Sequence, residues 1–162
     1  MRKYPKYKAS GVDWLGEIPS DWSITRIKRL AKKGRKTFID GDWIESEFIS
    51  SEGIRLIQTG EVKVGYYKDQ GFRYITEKTF FKLNCTEIFP DEILICRLAS
   101  PVGRACLVPD NGERIITVVD NCILKSSNSN SSKFIVYLFS SSYYLEYLDL
   151  SLIHISEPTR PY

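Results

Sequence analysis

Histidine is almost absent from this chain of 162 residues, and the only one is His154, near the carboxyl end. Ser-His-Asp and Cys-His catalytic groups need an imidazole as general base, so the preceding residues hold neither. Histidine-ligated metal sites are excluded for the same reason. The sequence also has no GxxxxGK[ST] phosphate loop, GxGxxG turn, HExxH helix, GxSxG elbow or Asn-Pro-Pro-Tyr methyltransferase motif. The enzyme classes that depend on these motifs are excluded.

The cysteines lack the spacing of a metal site. The four lie at positions 85, 96, 106 and 122, without a CxxC pair. Three fall within apolar runs, where a reduced thiol behaves as a small hydrophobic residue. No signal peptide precedes them, and no apolar run reaches ~18 residues, the length that would indicate a membrane helix. We therefore expect a cytoplasmic protein that does not enter a membrane.

The carboxyl end is unlike the rest of the chain. Residues 150–160 read LSLIHISEPTR, which resembles the translation of a transposase-based sequencing-library adapter. We expect residues 150–162 to be an assembly artefact and the natural sequence to continue differently after about residue 149. His154 then lies outside the natural sequence.

Composition favours one globular domain. Hydrophobic residues make up 43% of the chain, charged residues 27%, and the formal net charge is +3. Domains typically run ~100 to 200 residues. The small net charge by itself argues only weakly for a polyanionic partner, so the distribution of charge matters more.

The central part of the chain predicts a β-sheet. Apolar runs at 92–98, 103–108 and 114–124 are separated by Ser-Pro and Pro-Asp-Asn-Gly turns. Arg97 and Arg104 flank the turn at Ser100 and Pro101, where they could present donors to an anion or a base edge. The alternative is that both arginines are ordinary solvent-facing strand residues.

Further elements are predicted on either side of this core. We expect strands at 54–58 and 61–67, joined by a Thr-Gly turn, with Gln58 and Thr59 at a strand end. Thr76 predicts the N-cap of a short helix over the sheet. Residues 133–148 have apolar side chains at helical intervals and predict a closing helix.

The densest positive charge lies between Arg26 and Lys36, where seven of eleven residues are basic and none is acidic. Such a segment is suited to nucleic-acid phosphates, although a solvated basic face is the alternative.

Two interpretations that involve a metal ion have little support. The first is a metal site formed by the carboxylates between residues 40 and 52, but these lack the ligand spacing of an EF-hand. Glu61, Val62 and Lys63 have the ExK form of metal-dependent nucleases, with a Pro-Asp pair at Asp91. In such nucleases the Pro-Asp pair normally comes first, whereas here it comes second.

The order and spacing of several segments carry a family resemblance. These are YKASGVDWLGEIPSDWSI, GDWIESEFISSEGIRLIQTGEVKVGYY, DEILICRLASPVGRACLVPD and ERIITVVDNCIL. Together they resemble the first target recognition domain of type I restriction-modification specificity (S) subunits over residues 7 to 149. One departure is Asp91-Glu92, where the family more often has Gly-Asp. The resemblance implies an α+β fold with a twisted, largely antiparallel β-sheet and short flanking helices.

The resemblance also implies a function. In that family the specificity subunit is not an enzyme, and each recognition domain reads one half of a bipartite site in double-stranded DNA. Modification (methyltransferase) subunits and a restriction (translocase and nuclease) subunit join it. S-adenosylmethionine, ATP and Mg²⁺ belong to those partners, so no cofactor is expected here.

The expected organisation follows from these segments. Residues 1–10 form a basic arm, 11–132 the recognition domain, and 133–149 a closing helix at the start of a truncated spacer. Polarity and turn position predict that DNA bases are contacted by Gln58, Thr59, Arg97, Ser100 and Arg104. The predicted phosphate contacts are Lys32, Lys33, Arg35, Lys36, Lys63 and Tyr67. A metal-dependent nuclease using Glu61, Lys63 and Asp91 is one alternative, and a protein-interaction module is the other.

Overall fold

The computed structural model describes residues 4–34, 36–98, 100–127 and 131–156. Within them the α-helices are α1 (Glu77–Leu83), α2 (Ser132–Phe139) and α3 (Ser142–Ser156). The strands are β1 (Tyr7–Ala9), β2 (Glu17–Pro19), β3 (Phe38–Asp40), β4 (Ile49–Ser50), β5 (Ile54–Ile57), β6 (Tyr74–Ile75), β7 (Ile93–Cys96), β8 (Ala105–Leu107), β9 (Ile115–Thr117) and β10 (Asn121–Leu124). Short 3-10 helices occupy Ile27–Leu30, Ser46–Phe48 and Thr59–Glu61.

The first large sheet has the strand order β3-β10-β7-β8, and every pairing in it is antiparallel. Every residue of strand β7 is buried, because both faces of the strand are covered. Ile95 and Leu124 belong to the cluster formed with α2 and α3, which includes Ile135 and Phe139. The two carboxyl-terminal helices therefore close one face of this sheet.

The second large sheet has the order β4-β6-β5-β9. The β4-β6 and β6-β5 pairs are antiparallel, whereas β5 and β9 run parallel, with Leu56 opposite Ile116. A separate hairpin pairs β1 with β2. The predicted α+β class with largely antiparallel sheets and short flanking helices is confirmed.

The two large sheets are joined by the run at 114–124, which the sequence predicts as a single strand. That prediction is wrong, because the run divides into β9 and β10, which belong to different sheets. The break is stabilised by main-chain bonds: the Asn121 N–H donates to the Val118 carbonyl (3.0 Å), and the Val119 N–H donates to that of Asp42 (3.0 Å). Apolar content alone could not locate this turn, since Val118 and Val119 favour strands.

A strand predicted at 61–67 is also absent. The chain instead forms the 3-10 helix Thr59–Glu61 and a single bridge between Val62 and Tyr67. Glu61 is 3% exposed, and its carboxylate accepts from the Gln58 N–H (2.9 Å). This cap favours a helical turn over an extended chain.

The closing helix at 133–148 is two helices. Hydroxyls of Ser140 and Ser141 donate to the carbonyls of Val136 (2.7 Å) and Leu138 (2.8 Å) at the break. Serine hydroxyls compete for the backbone in this way and disfavour continuous helix. By contrast, the predicted N-cap of α1 is confirmed, because the Thr76 hydroxyl accepts from the Thr79 N–H (3.2 Å).

Aromatic rings attach the amino-terminal region to the helices. Trp22 meets Phe134 of α2 edge-on, with ring centroids 5.5 Å apart, and Trp14 stacks on Tyr147 of α3 at 5.4 Å. The segment around the β1-β2 hairpin is thus packed on the carboxyl-terminal helices. Among the described residues, none of the helices has the length and apolarity needed to cross a membrane.

A substitution at Gly41 tests how closely the chain is packed at the junction between the two large sheets. A Cβ at this position would lie 2.3 Å from the Val118 carbonyl oxygen, whereas one at Gly60 would meet nothing within 4 Å. Gly41→Ala should therefore lower the free energy of unfolding by about 2 kcal/mol, in the range of overpacked positions. Gly60→Ala, the matched control, should change it by less than about 1 kcal/mol. Thermal or urea unfolding measures both, and equal stabilities would contradict this account of the junction.

Candidate functional site

A polar cleft of about 430 Å³ opens where the two large sheets meet. Its walls come from three connections: the segment after β3, the long connection between β5 and β6, and the turn between β9 and β10. Side chains on these walls include Asp42, Trp43, Gln58, Thr59, Gln70 and Asp120. The cleft is therefore formed by loops from both sheets.

Two cleft residues have contrasting environments. Trp43 is 73% exposed, so its ring is free for stacking. The Asp42 carboxylate accepts from the Thr86 N–H (2.8 Å), and burial raises its pKa above the ordinary value. The tryptophan offers an apolar contact and the aspartate an acceptor.

The 58–62 turn forms one wall. Gln58 and Thr59 are partly exposed and line the cleft. Glu61 caps the turn from the inside, through its bond to the Gln58 N–H. The Glu61 N–H donates to the Gln58 carbonyl (3.1 Å), and the Val62 N–H donates to that of Thr59 (3.3 Å). The turn thus has a defined conformation without any ligand.

A buried charge network supports this turn. Arg55, which is 2% exposed, pairs with Glu61 and also reaches the Asp69 carboxylate at 3.0 Å. The Tyr67 hydroxyl lies 3.2 Å from Glu61 and 3.3 Å from Asp69. Burial, followed by the charge of Glu61, raises the pKa of Tyr67 above its ordinary value. Burial alone would lower the pKa of Arg55, but the neighbouring negative charge raises it.

Tyr67, which the sequence predicts as a phosphate contact, belongs to this buried network. Its hydroxyl is directed to the carboxylates of Glu61 and Asp69. This position fits support of the 58–62 turn better than contact with an anionic phosphate, because an adjacent carboxylate repels the phosphate.

Arg104 is buried as well, with 6% of its surface exposed. Its Nε donates to the Val62 carbonyl (2.6 Å), one terminal nitrogen to that of Thr59 (2.9 Å), and the other to that of Pro101 (3.0 Å). In this arrangement the guanidinium joins two loops and does not point outwards. The predicted base contact therefore fits Arg104 less well than a structural role.

Arg97 and Ser100 are both exposed. An Arg97 terminal nitrogen lies 2.6 Å from the Asp40 carboxylate, and each side chain of this pair is about half exposed. The hydrogen bond from Arg97 lowers the pKa of Asp40. The Arg97 N–H donates to the carbonyl of Asp120, which lines the cleft (2.8 Å). Arg97 is therefore connected to the cleft wall through Asp120. Ser100 precedes Pro101, whose carbonyl shares the Arg104 guanidinium with that of Thr59.

The predicted phosphate contacts are more dispersed. Lys32 and Lys33 are exposed, and the Lys32 N–H donates to the Lys125 carbonyl (2.8 Å), just beyond the carboxyl end of β10. Arg97 lies beside the other end of β10, roughly 10 Å away along a strand of this length. Lys36 is exposed, Lys63 is partly exposed beside the 58–62 turn, and Arg35 lies outside the described residues.

The described residues offer little for catalysis. No three His, Cys, Asp or Glu side chains among them converge as a metal site. Burial raises the pKa of Cys85 to about 11 and those of Cys106 and Cys122 to about 12. These thiols are therefore protonated at neutral pH and are poor nucleophiles. Glu61 is held by Arg55, while Asp91 lies beside a different cleft with Lys32.

Sequence reasoning missed the supporting roles of Asp40, Arg55 and Glu61. A signal for Arg55 exists, because it interrupts the apolar run IRLI of β5. A charge in a strand whose neighbours are all buried needs a buried partner. The sequence holds no comparable signal for Asp40 or Glu61. The partner of Asp40, Arg97, is distant in the sequence, and Glu61 reaches its partners only through the turn that follows β5.

Eight chains of solved structures match this chain, and two of them have similar TM-scores. One is a chain from a structure of a type I R-M system determined to explain its complex assembly and conformational transition, with a TM-score of 0.57. The other is an HsdS subunit from Thermoanaerobacter tengcongensis, with a TM-score of 0.56. Each is 17% identical and covers 90% of this chain. The chain has the fold found in HsdS.

This likeness is structural and partial. The chain spans 31% of the length of each of these two proteins. No protein-family model and no curated protein matches the sequence. The fold predicted from the resemblance to type I specificity subunits is confirmed by the structural match.

The buried pair of Arg55 and Glu61 should be essential for stability. Glu61→Gln preserves shape but leaves the buried guanidinium without its main counter-charge, which should lower the free energy of unfolding by about 3 kcal/mol. Glu77→Gln is the matched control, because Glu77 pairs with Arg114 but is 69% exposed. Its cost should be below about 1 kcal/mol. Urea unfolding compares them, and a similar small cost for both would contradict a stabilising role of the buried network.

Proposed function

We propose that this chain is a sequence-specific DNA-binding module, the target recognition domain of a type I restriction-modification specificity subunit. The main support is the grouping of Gln58, Thr59, Arg97 and Ser100 around loops connected by direct hydrogen bonds, in a chain with the HsdS fold. The module is not an enzyme. It reads one half of a bipartite site.

Arg97 is the strongest candidate for reading a base. A guanidinium has five N–H donors, so a carboxylate can hold one side while other donors remain available. Asp40 occupies one terminal nitrogen of Arg97. The pair restrains a long side chain without neutralising its capacity to bind guanine O6 and N7. Gln58 can supply the amide that pairs with adenine, and Thr59 and Ser100 supply hydroxyls.

Backbone contacts come from the basic segment. Lys32, Lys33, Arg35 and Lys36 bind phosphates, and Lys63 adds one beside the 58–62 turn. The separation of roughly 10 Å between Arg97 and Lys32 along β10 is close to the ~12 Å width of the major groove. A duplex can thus place a base edge at Arg97 while its phosphates contact Lys32.

The wider role belongs to the whole subunit. With its second recognition domain and its spacers, it directs modification and restriction subunits to the DNA site. S-adenosylmethionine, ATP and Mg²⁺ are used by those partners, and this chain holds none of them. The complex acts in the cytoplasm.

The decisive experiment is selection from a randomised duplex pool with the whole chain at two salt concentrations. We expect enrichment of a short motif of roughly three to five base pairs and affinity that falls steeply with salt. Salt-sensitive binding without enrichment would reduce the proposal to a basic surface. Absence of binding by the folded chain would favour a protein-interaction module, and Mg²⁺-dependent cleavage lost in Glu61→Ala would favour a nuclease.

Arg97→Ala should lower affinity for the selected duplex more than for random DNA. Loss of a bidentate base contact costs roughly 1 to 3 kcal/mol of discrimination. Lys33→Ala is the matched comparison, because loss of a phosphate contact should weaken both complexes equally and reduce the salt dependence. Fluorescence anisotropy on both duplexes measures the difference. An equal loss on the two duplexes for Arg97→Ala would identify Arg97 as a phosphate contact only.

A further inference from the structure

We propose that Arg104 is a positioning residue that fixes the 58–62 turn against the 100–103 loop, and thereby sets the distance between two groups of base-reading side chains. The inference rests on the proposed function and deepens it. It assigns specificity to a buried residue that does not itself contact a base.

The bonds of Arg104 carry the argument. One guanidinium donates to carbonyls at both ends of the 58–62 turn, Thr59 (2.9 Å) and Val62 (2.6 Å). The same group donates to Pro101 (3.0 Å), the residue after Ser100. The main chain of the two loops is thus joined through a single rigid plane of atoms.

The loops come from different sheets, which gives this link its significance. The 58–62 turn follows β5 of the second sheet, and the 100–103 loop connects β7 to β8 of the first. A main-chain bond from the Gly65 N–H to the Ala105 carbonyl (2.9 Å) links the chain beyond the 58–62 turn to β8. Pairing between the described strands does not set the relative position of the two loops, because no pairing among these strands joins β5 to β7 or β8. A side chain that bonds to both loops restrains it directly.

The 58–62 turn is held from its other side by Glu61. This carboxylate accepts from the Gln58 N–H and is itself paired with buried Arg55. Two buried arginines therefore act on one turn, Arg55 through a carboxylate and Arg104 through carbonyls. The side chains of Gln58 and Thr59 remain partly exposed at the cleft.

Only arginine can make this arrangement. Its planar fork presents Nε and both terminal nitrogens in three fixed directions. A lysine at this position keeps the positive charge, but its single nitrogen cannot hold three separated carbonyls in the same geometry. Arg104→Lys therefore loosens the loops without changing net charge.

The test repeats the duplex selection with Arg104→Lys and measures its affinity for the duplex selected by the unchanged chain. We expect the ratio of affinities for selected and random DNA to fall about tenfold, within the range set by a base contact. Binding to random DNA and its salt dependence should stay unchanged, because Arg104 contacts no phosphate in this assignment.

Arg114→Lys is the matched control. Arg114 precedes β9 and pairs with Glu77 and Glu87, and its position is at the opposite end of the β5-β9 pair from Gln58. The same replacement there should leave the affinity ratio unchanged. A similar fall in both variants would overturn the assignment, since it would reflect a general loss of stability.

A double-mutant cycle adds a readout that a purely structural role would not alter. If Arg104 acts by positioning Gln58, then Arg104→Lys should cost less discrimination in a Gln58→Ala background than in the unchanged chain. Full additivity of the two effects would overturn the proposal.

Amide hydrogen exchange of the unchanged chain tests the same idea even if Arg104→Lys does not fold. The N–H groups of Glu61 and Val62 should already be protected without DNA. Protection that arises only on DNA binding would overturn the proposal, because DNA would then order the turn. The selection experiment distinguishes failure of the proposed function from failure of the role of Arg104. If the unchanged chain selects no motif, both proposals are wrong. If Arg104→Lys selects the same motif with the same ratio of affinities for selected and random DNA, only the role of Arg104 is wrong.

Discussion

The fold depends on the crossing of one chain segment from the second sheet to the first. Strand β9 ends at Thr117, and β10 begins at Asn121. Between them the main chain must approach residues 41 and 42 so closely that a side chain at Gly41 would collide with the Val118 carbonyl. The Thr117 hydroxyl bonds to the Ile57 carbonyl (3.0 Å) and the Asn121 amide bonds to that hydroxyl (2.9 Å). These contacts bring the ends of β3, β5 and β10 together and create the cleft.

Buried arginines extend this order into the loops. Loop side chains that read DNA bases need a fixed geometry, but loops are the parts of a protein with the fewest packing restraints. Charged groups buried beneath the loops can supply the missing restraint, because a buried guanidinium requires hydrogen-bond partners in defined positions. The cost is the loss of hydration of the charged group. Arg55 and Arg104 find such partners on the 58–62 turn. Under the proposed function, loops that are ordered before binding lose less entropy when DNA binds.

The exposed charges have a different arrangement. Arg97 and Asp40 form a half-exposed pair next to the cleft, whereas Lys32 and Lys33 are exposed near the far end of β10, where Lys32 lines a second cleft with Asp91. Under the proposed function, the restrained guanidinium of Arg97 suits a base contact, and the exposed lysines suit phosphate contacts. Base contacts require direction, and phosphate contacts require mainly charge.

The sequence by itself determined strands β5, β7 and β8 and the N-cap of α1, because these depend on local alternation, turn residues and capping. The fold class came from the resemblance of several segments to a known family. The sequence also determined which residues were polar at strand ends, so that Gln58, Thr59, Arg97 and Ser100 could be named as candidates. Only the tertiary structure decided that residues 114–124 serve two sheets, that Glu61 ends a turn and does not begin a strand, and that Arg104 points inwards. Each of these depends on partners distant in the chain, such as Asp42 for Val119 or Thr59 for Arg104. Local patterns carry no information about such partners, because the same residues are compatible with exposure or burial until the other strands are in place.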